Sequence, residues 1–204
     1  MDMIDKIIKV LTKPFDFFES LKKEKGIKDA FVYLVILSLI ATVLAVVVGY
    51  FFQGFSLSLV SKLLGIDMPQ EQFSFGYLFI WAIISYSIGL AASFLVAGLL
   101  HVWILIFGGK ADYNKTYQLY IYTRTPGFVF GWIPVLSSLI WIYNLVLLII
   151  GTEKVHEISR LRAVLMYVIP IAVLILFYIL IFVIVIAVLG TSFFKQGLTQ
   201  GMLS

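Results

Sequence analysis

The chain has 204 residues, 62% of them hydrophobic and 13% charged, with a formal net charge of +4; a soluble globular domain carries roughly 45–50% apolar and about 25% charged residues. That balance excludes a water-soluble catalytic module, a nucleic-acid-binding domain and a Rossmann-like nucleotide fold. With no cysteine, a disulfide framework, a thiol nucleophile and a thiolate metal site are excluded as well.

The first 29 residues hold seven Lys and six acidic residues. They lack the uninterrupted apolar core of a cleavable signal peptide, so the segment is expected to be retained. Ile4, Ile7, Ile8 and Leu11 recur at helical spacing, with Lys6, Lys9 and Lys13 elsewhere on the turn. Pro14 interrupts this helix and can open a second one carrying Phe15, Phe18 and Leu21, capped by Gly26. Two readings stand side by side. Either these helices lie in the membrane interface with lysines toward anionic head groups, or they are solvated and packed on the bundle.

Four later stretches contain no Asp, Glu, Lys or Arg: residues 30–61, 72–109, 125–152 and 163–194, together 130 positions. A bilayer core about 30 Å thick takes about 20 apolar residues of helix, so each stretch is long enough to cross. The predicted fold class is all-α, a polytopic membrane helical bundle. Its expected parts are a basic amphipathic segment over residues 1–29, a transmembrane domain over 30–194 and a C-terminal tail over 195–204.

Lys and Arg placement decides between four spans and five. With a cytoplasmic N-terminus, four spans put 11 of these residues inside and 4 outside, stranding Lys154, Arg160 and Arg162. A second crossing between Thr116 and Gly151, turned near Gly131 to Pro134, brings those three inside and gives 13 against 2. The positive-inside rule prefers five. The expected spans are residues 30–52, 75–107, 116–131, 133–150 and 163–189, with the N-terminus cytoplasmic and the C-terminus outside the cell membrane. The third is short, contains Arg124 and opens on Tyr113, Tyr117, Tyr120 and Tyr122, as suits an interface.

Helices associate in lipid through small residues that let backbones approach. Ser38, Thr42, Ala45 and Gly49 share one side of the first span, and Ser85, Gly89, Ser93, Ala97 and His101 form an every-fourth-residue ridge on the second. These two spans are read as the packed centre. The last, nearly all Ile, Val, Leu and Phe from Ile171, is read as lipid-facing.

His101 closes that ridge. It is either a proton-carrying or ligand group, or a neutral imidazole hydrogen-bonded across helices; the second is preferred because the spans offer no second His or carboxylate as a relay partner. Arg124 can pair with Asp112, hold a lipid phosphate or snorkel to the cytoplasmic face, and snorkelling is preferred. His156 and Arg160 fall in the charged loop 153–162, where solvated surface is expected. Catalysis fails on inventory: there is no His-Glu-x-x-His pair, no Gly-x-Ser-x-Gly elbow, no phosphate loop and no acidic residue deep in a span. No enzyme activity, cofactor or metal is expected. Pro126, Pro134 and Pro170 could break helices as in transporters, but few polar residues line a path.

One layout gathers these features. It has Pro14-Phe15 and Phe18 in a short cytoplasmic region, Gly108-Gly109 after the second span and an aromatic run, Tyr117, Tyr120 and Tyr122, ending at Pro126. It continues with a break at Pro134, Trp141 in the fourth span, and a loop over residues 151–163 with His156 and Arg160. Over most of the chain this resembles the YIP-domain family of five-pass membrane proteins, named for interaction with Ypt/Rab GTPases. The resemblance implies a polytopic protein without enzymatic activity, whose eukaryotic relatives act in vesicle trafficking. Their long acidic, aromatic N-terminal region and Asp-Leu-Tyr-Gly-Pro motif are replaced here by 29 Lys-rich residues. That argues against small GTPase binding and for a prokaryotic member. The expected role is to organise lipids or partner proteins, through the N-terminal helices and the 151–162 loop, with the bilayer, anionic lipid, membrane proteins or a second copy as partners. The alternative is small-solute or ion permeation through the second and third spans, with His101 and Arg124 on the pathway.

Overall fold

A computed structural model describes residues 2–65 and 73–201, with side chains through residue 187. The described residues form helices and turns. The chain divides into two units, Met1–Ala163 and Val164–Ser204.

In the first unit α1 (Met3–Thr12) begins where the Asp2 carboxylate accepts the Met3 N–H at 2.7 Å, and α2 (Pro14–Ser20) has its proline in the first turn. A single 3₁₀ turn (Leu21–Lys23) follows, and Gly26, at φ 66°, lets the chain reverse into α3. Helix α3 (Lys28–Leu64) stops at Gly65, again left-handed at φ 64°. Helix α4 (Phe75–Ile106) is capped by the Ser74 hydroxyl, which accepts from the Tyr77 N–H at 3.2 Å. Asp112 caps α5 (Tyr113–Thr123) by accepting the Lys115 N–H at 3.0 Å. The helix breaks at Arg124, and α6 (Thr125–Phe130) restarts with Pro126 in its first turn. A tight turn leads to Pro134 at the head of α7 (Pro134–His156), which ends at Glu157 in the left-handed region. The second unit is the continuation of α8 (Arg160–Gly201), a helix carrying Pro170.

The helical bundle predicted from the sequence is the fold found. Among the described residues four helices are long and apolar enough to cross a membrane: Lys28–Leu64, Phe75–Ile106, Pro134–His156 and Arg160–Ala187. The stretch expected as a third span is instead α5 and α6, of 11 and 6 residues. Other boundaries move too. The first long helix runs past Phe52 to Leu64, because no breaker stronger than Gly54 stands before Gly65. The next-to-last extends beyond Ile150 to His156, which shrinks the expected charged loop to three residues before α8. The last helix continues through the expected tail as far as Gly201.

The centre of the first unit is α5. Its Thr116, Tyr117, Gln118, Leu119, Ile121, Tyr122 and Thr123 are all buried, walled by the start of α3, the end of α4, the N-terminal helices and α7. The small-residue ridges divide accordingly. Ser93 and Ala97 are buried and His101 half-buried where α4 meets α5, and Ser38 and Thr42 are half-buried. Gly49, Ser85 and Gly89 are exposed, and a Cβ added at either glycine would meet nothing within 4 Å. There α3 and α4 meet through larger groups: the Tyr86 hydroxyl donates to the Val35 carbonyl at 3.0 Å.

Candidate functional site

The polar groups of α5 converge on two clusters. In the first, Lys6 of α1 is turned inward: its Nζ lies 3.1 Å from Glu24 Oε1 and 2.7 Å from the Tyr122 hydroxyl, which itself donates to Glu24 at 2.8 Å. Lys6 is 7% exposed and the Glu24 side chain 17%, so this is a largely buried ion pair closed by a phenol. Phe17 and Tyr33 pack edge-on against the Tyr122 ring at 5.1 and 5.0 Å. The Tyr33 hydroxyl is 2.8 Å from Thr125 Oγ1. One and two turns toward the start of α5, Gln118 Nε2 donates to the Gly26 carbonyl at 2.6 Å and the Lys115 ammonium to the carbonyls of Leu21 and Glu24. The end of the 3₁₀ turn is thereby tied to α5 through the carbonyls of Leu21, which also accepts the Glu24 N–H, Glu24 and Gly26.

The outward placement of Lys6 expected from the periodicity is therefore corrected. Helix α1 faces the bundle with Lys6 and Val10 and exposes Ile4 at 64% and Ile8 at 52%. A helix in water would bury the isoleucines.

The second cluster joins three elements. His101 Nδ1 of α4 lies 2.8 Å from Thr116 Oγ1 of α5, and the same oxygen is 3.0 Å from His156 Nε2 of α7. The two rings stand 6.3 Å apart with the hydroxyl between them. That hydroxyl has one proton, so it can donate to only one ring and accepts from the other. His156, expected on solvated surface, is fully buried, because α7 continues one turn past the expected loop start and carries it inward. It is also the second histidine whose absence argued against a relay at His101. Its Nδ1 is one of two buried side-chain atoms without a hydrogen-bond partner among the described residues; the other is Asn144 Oδ1. Gly109 makes room for the ring: a Cβ there would stand 3.0 Å from His156 Nδ1 and overlap Ile104.

The other predicted residues are dispersed. Arg124 is exposed; its NH1 donates to the Tyr120 hydroxyl at 2.7 Å and its guanidinium lies over the Tyr120 and Phe128 rings at 5.5 and 5.8 Å. It points back along α5 toward Tyr120, one turn earlier. Arg160 grips Glu153 with two hydrogen bonds, 2.8 and 3.2 Å, above the Phe15 ring. Lys22 bridges Glu19 and Glu157, and its hydrogen bond to Glu19 is the main cause holding it above its ordinary pKa. Among the described residues no three His, Cys, Asp or Glu come together as a metal site.

Sequence reasoning missed Lys6, Glu24, Lys115, Thr116 and Gln118. Their signal was the polar composition of α5 itself: Lys115, Thr116, Gln118 and Thr123 sit too close together for a lipid-facing helix.

The fold and these sites define a multi-pass, all-α membrane protein whose polar groups lie in an internal core. The Yip1 domain model matches residues 8–184, and the chain belongs to that family. An uncharacterized protein of Methanocaldococcus jannaschii is 31% identical over 125 residues, covering 60% of this chain and 81% of the relative. No solved structure matches.

Proposed function

We propose that the protein is a non-catalytic organiser of its membrane or of partner membrane proteins in a prokaryotic cell membrane, with a cytoplasmic N-terminus and the C-terminus outside. The observation that carries this reading is the internal use of the α5 polar groups. Lys115, Gln118 and Tyr122 all bond groups of the N-terminal segment, Tyr122 through Lys6 and Glu24, so they hold one surface in place and leave little polarity for a substrate. That surface is the outer side of α1 and α2 with the α7–α8 turn, where Ile4, Ile8 and Phe15 are exposed beside Lys9, Lys13, Lys154 and Arg160. Apolar and basic groups in that mixture fit anionic head groups or the cytoplasmic ends of neighbouring helices.

Permeation is the second reading, because His101, Thr116 and His156 form a hydrogen-bonded chain. The two separate in proteoliposomes. The organiser reading expects proton and small-solute flux equal to empty vesicles, and a photocrosslinker at Ile8 that captures membrane proteins or acidic lipid in native membranes. Flux above that background, abolished by His101→Ala, would overturn it.

A further inference from the structure

The hairpin of α6 and α7 stops short of the level at which α3 and the start of α4 are joined, and distances along the helices measure by how much. The Tyr33 hydroxyl and Thr125 Oγ1, 2.8 Å apart, fix one level shared by α3 and α6. From Tyr33 the long helix climbs 20 residues, about 30 Å, to Gln53. The Gln53 amide clamps the chain entering α4, accepting from the Phe73 N–H at 2.9 Å and donating to its carbonyl at 3.1 Å. That rise equals the hydrocarbon thickness of a bilayer. From Thr125 the other chain reaches its turn at Trp132 after seven residues, at most about 10 Å further in.

The base of the hairpin is marked by charge. Helix α1 lies across it, its Leu11 carbonyl accepting from the Tyr143 hydroxyl at 2.8 Å and its Lys6 reaching Tyr122. The same helix exposes Asp2, Asp5 and Lys9, and Arg124 stands exposed at the head of α6. Charges at that level belong among head groups. The tip is the opposite. No charged residue occurs between Thr125 and Thr152, and Val135, Leu139 and Trp141 are exposed. Its polar side chains close on their own backbone: the Trp132 indole donates to Val129, Ser137 to Pro134 and Ser138 to Val135, at 2.7 to 2.8 Å. Such closure, which Thr12, Ser20, Ser56 and Ser58 also make, leaves the tip's side-chain donors satisfied and so compatible with hydrocarbon.

We propose that residues 125–143 are a re-entrant hairpin that enters only the leaflet on the side of α1, and that α1 and this hairpin together form an insertion surface whose partner is the lipid of that one leaflet. Arg124 sits at its phosphates, and Ile4 and Ile8 lie among the upper acyl carbons. The tip carries no Lys or Arg, so the 13 against 2 charge partition is the same whether the turn emerges or stays buried. The inference rests on the chain being membrane-embedded, and not on its role as an organiser.

The test uses the full chain, which has no native cysteine. Gly131 is unsuitable for substitution, since a Cβ there overlaps the Gly127 carbonyl, so Trp132→Cys and Ile133→Cys report on the tip and Leu63→Cys on the far side. In intact cells an impermeant maleimide is expected to modify Leu63→Cys and neither tip variant. In liposomes, with Trp81, Trp103 and Trp141 changed to Phe, Trp132 fluorescence is expected to be quenched at least twofold more by a nitroxide near the acyl-chain terminus than by one near the head group. External modification of a tip cysteine, or the reverse quenching order, overturns the proposal. A flux that defeats the organiser reading leaves both measurements unaffected.

Discussion

Lys6 Nζ and the Tyr122 hydroxyl are 2.7 Å apart across 116 positions of sequence, and Glu24 bonds both of them. A cation on the first helix is thus matched inside the bundle to groups on two other elements. Breaking a buried pair by removing one partner costs about 3–5 kcal/mol, while removing both together costs far less. Glu24→Gln and Lys6→Met are each expected to lower stability, toward the lower end of that range because Glu24 keeps some exposure, and the double variant by less than the sum of the two. Unfolding in mixed detergent micelles measures the coupling; strictly additive losses would contradict the triad.

Thr116 holds His101 and His156 through one oxygen. Thr116→Val preserves shape and removes both hydrogen bonds, with an expected loss of about 1–3 kcal/mol for the buried groups left unpaired. Thr116→Ser should restore most of it. Nitrogen-15 NMR of the two imidazoles checks the assignment, because the wild type is expected to hold one fixed tautomer at each ring and the valine variant an exchanging pair.

A side chain at Gly151 would overlap Leu119 and approach two carbons of Phe18 at 3.1 Å. All three residues are buried. Gly151→Ala is therefore expected to destabilise by about 1–3 kcal/mol, and Leu119→Ala in the same chain to recover part of that. Thermal unfolding of the single and double variants settles it; a neutral Gly151→Ala would mean that α5 and α7 are less closely packed than described.

The outward isoleucines of α1 give a membrane-specific prediction. In liposomes a polarity-sensitive fluorophore on Ile8→Cys is expected to emit further to the blue than the same probe on Asp5→Cys. Equal spectra at the two positions would place α1 in water.

The long helices were legible because their signal is local: uncharged runs of 28 to 38 residues admit little else. The turn at Gly131 and Pro134 was legible for the same reason, since its breakers lie side by side. What could not be read was the depth to which the turn reaches, because a run of apolar residues records immersion but not distance. Lys6 was assigned to the surface from helical periodicity, and the partner that draws it inward, Tyr122, lies beyond two long helices. His156 was taken as solvated because Glu153, Lys154 and Glu157 surround it in sequence; Glu157 is exposed and Glu153 and Lys154 are half-buried, whereas His156 is fully buried. The glycines with close neighbours are ones read as turn or loop, Gly109 and Gly151, whereas Gly49 and Gly89, read as packing sites, have none.

The position of α5 at the centre sets an order of assembly during synthesis. When this helix leaves the ribosome, α1 to α4 already exist and can receive Tyr122, Gln118 and Ser93's partner Tyr117. Leu119 and Thr116 must wait for Gly151 and His156, more than 30 residues later. At elongation rates of about 5–20 residues per second, a half-walled polar helix persists for seconds beside the insertion machinery. Its Thr, Gln and Lys side chains make it a poor candidate to slip sideways into lipid in that interval, so the same polarity that later glues the core also keeps the nascent chain waiting in place.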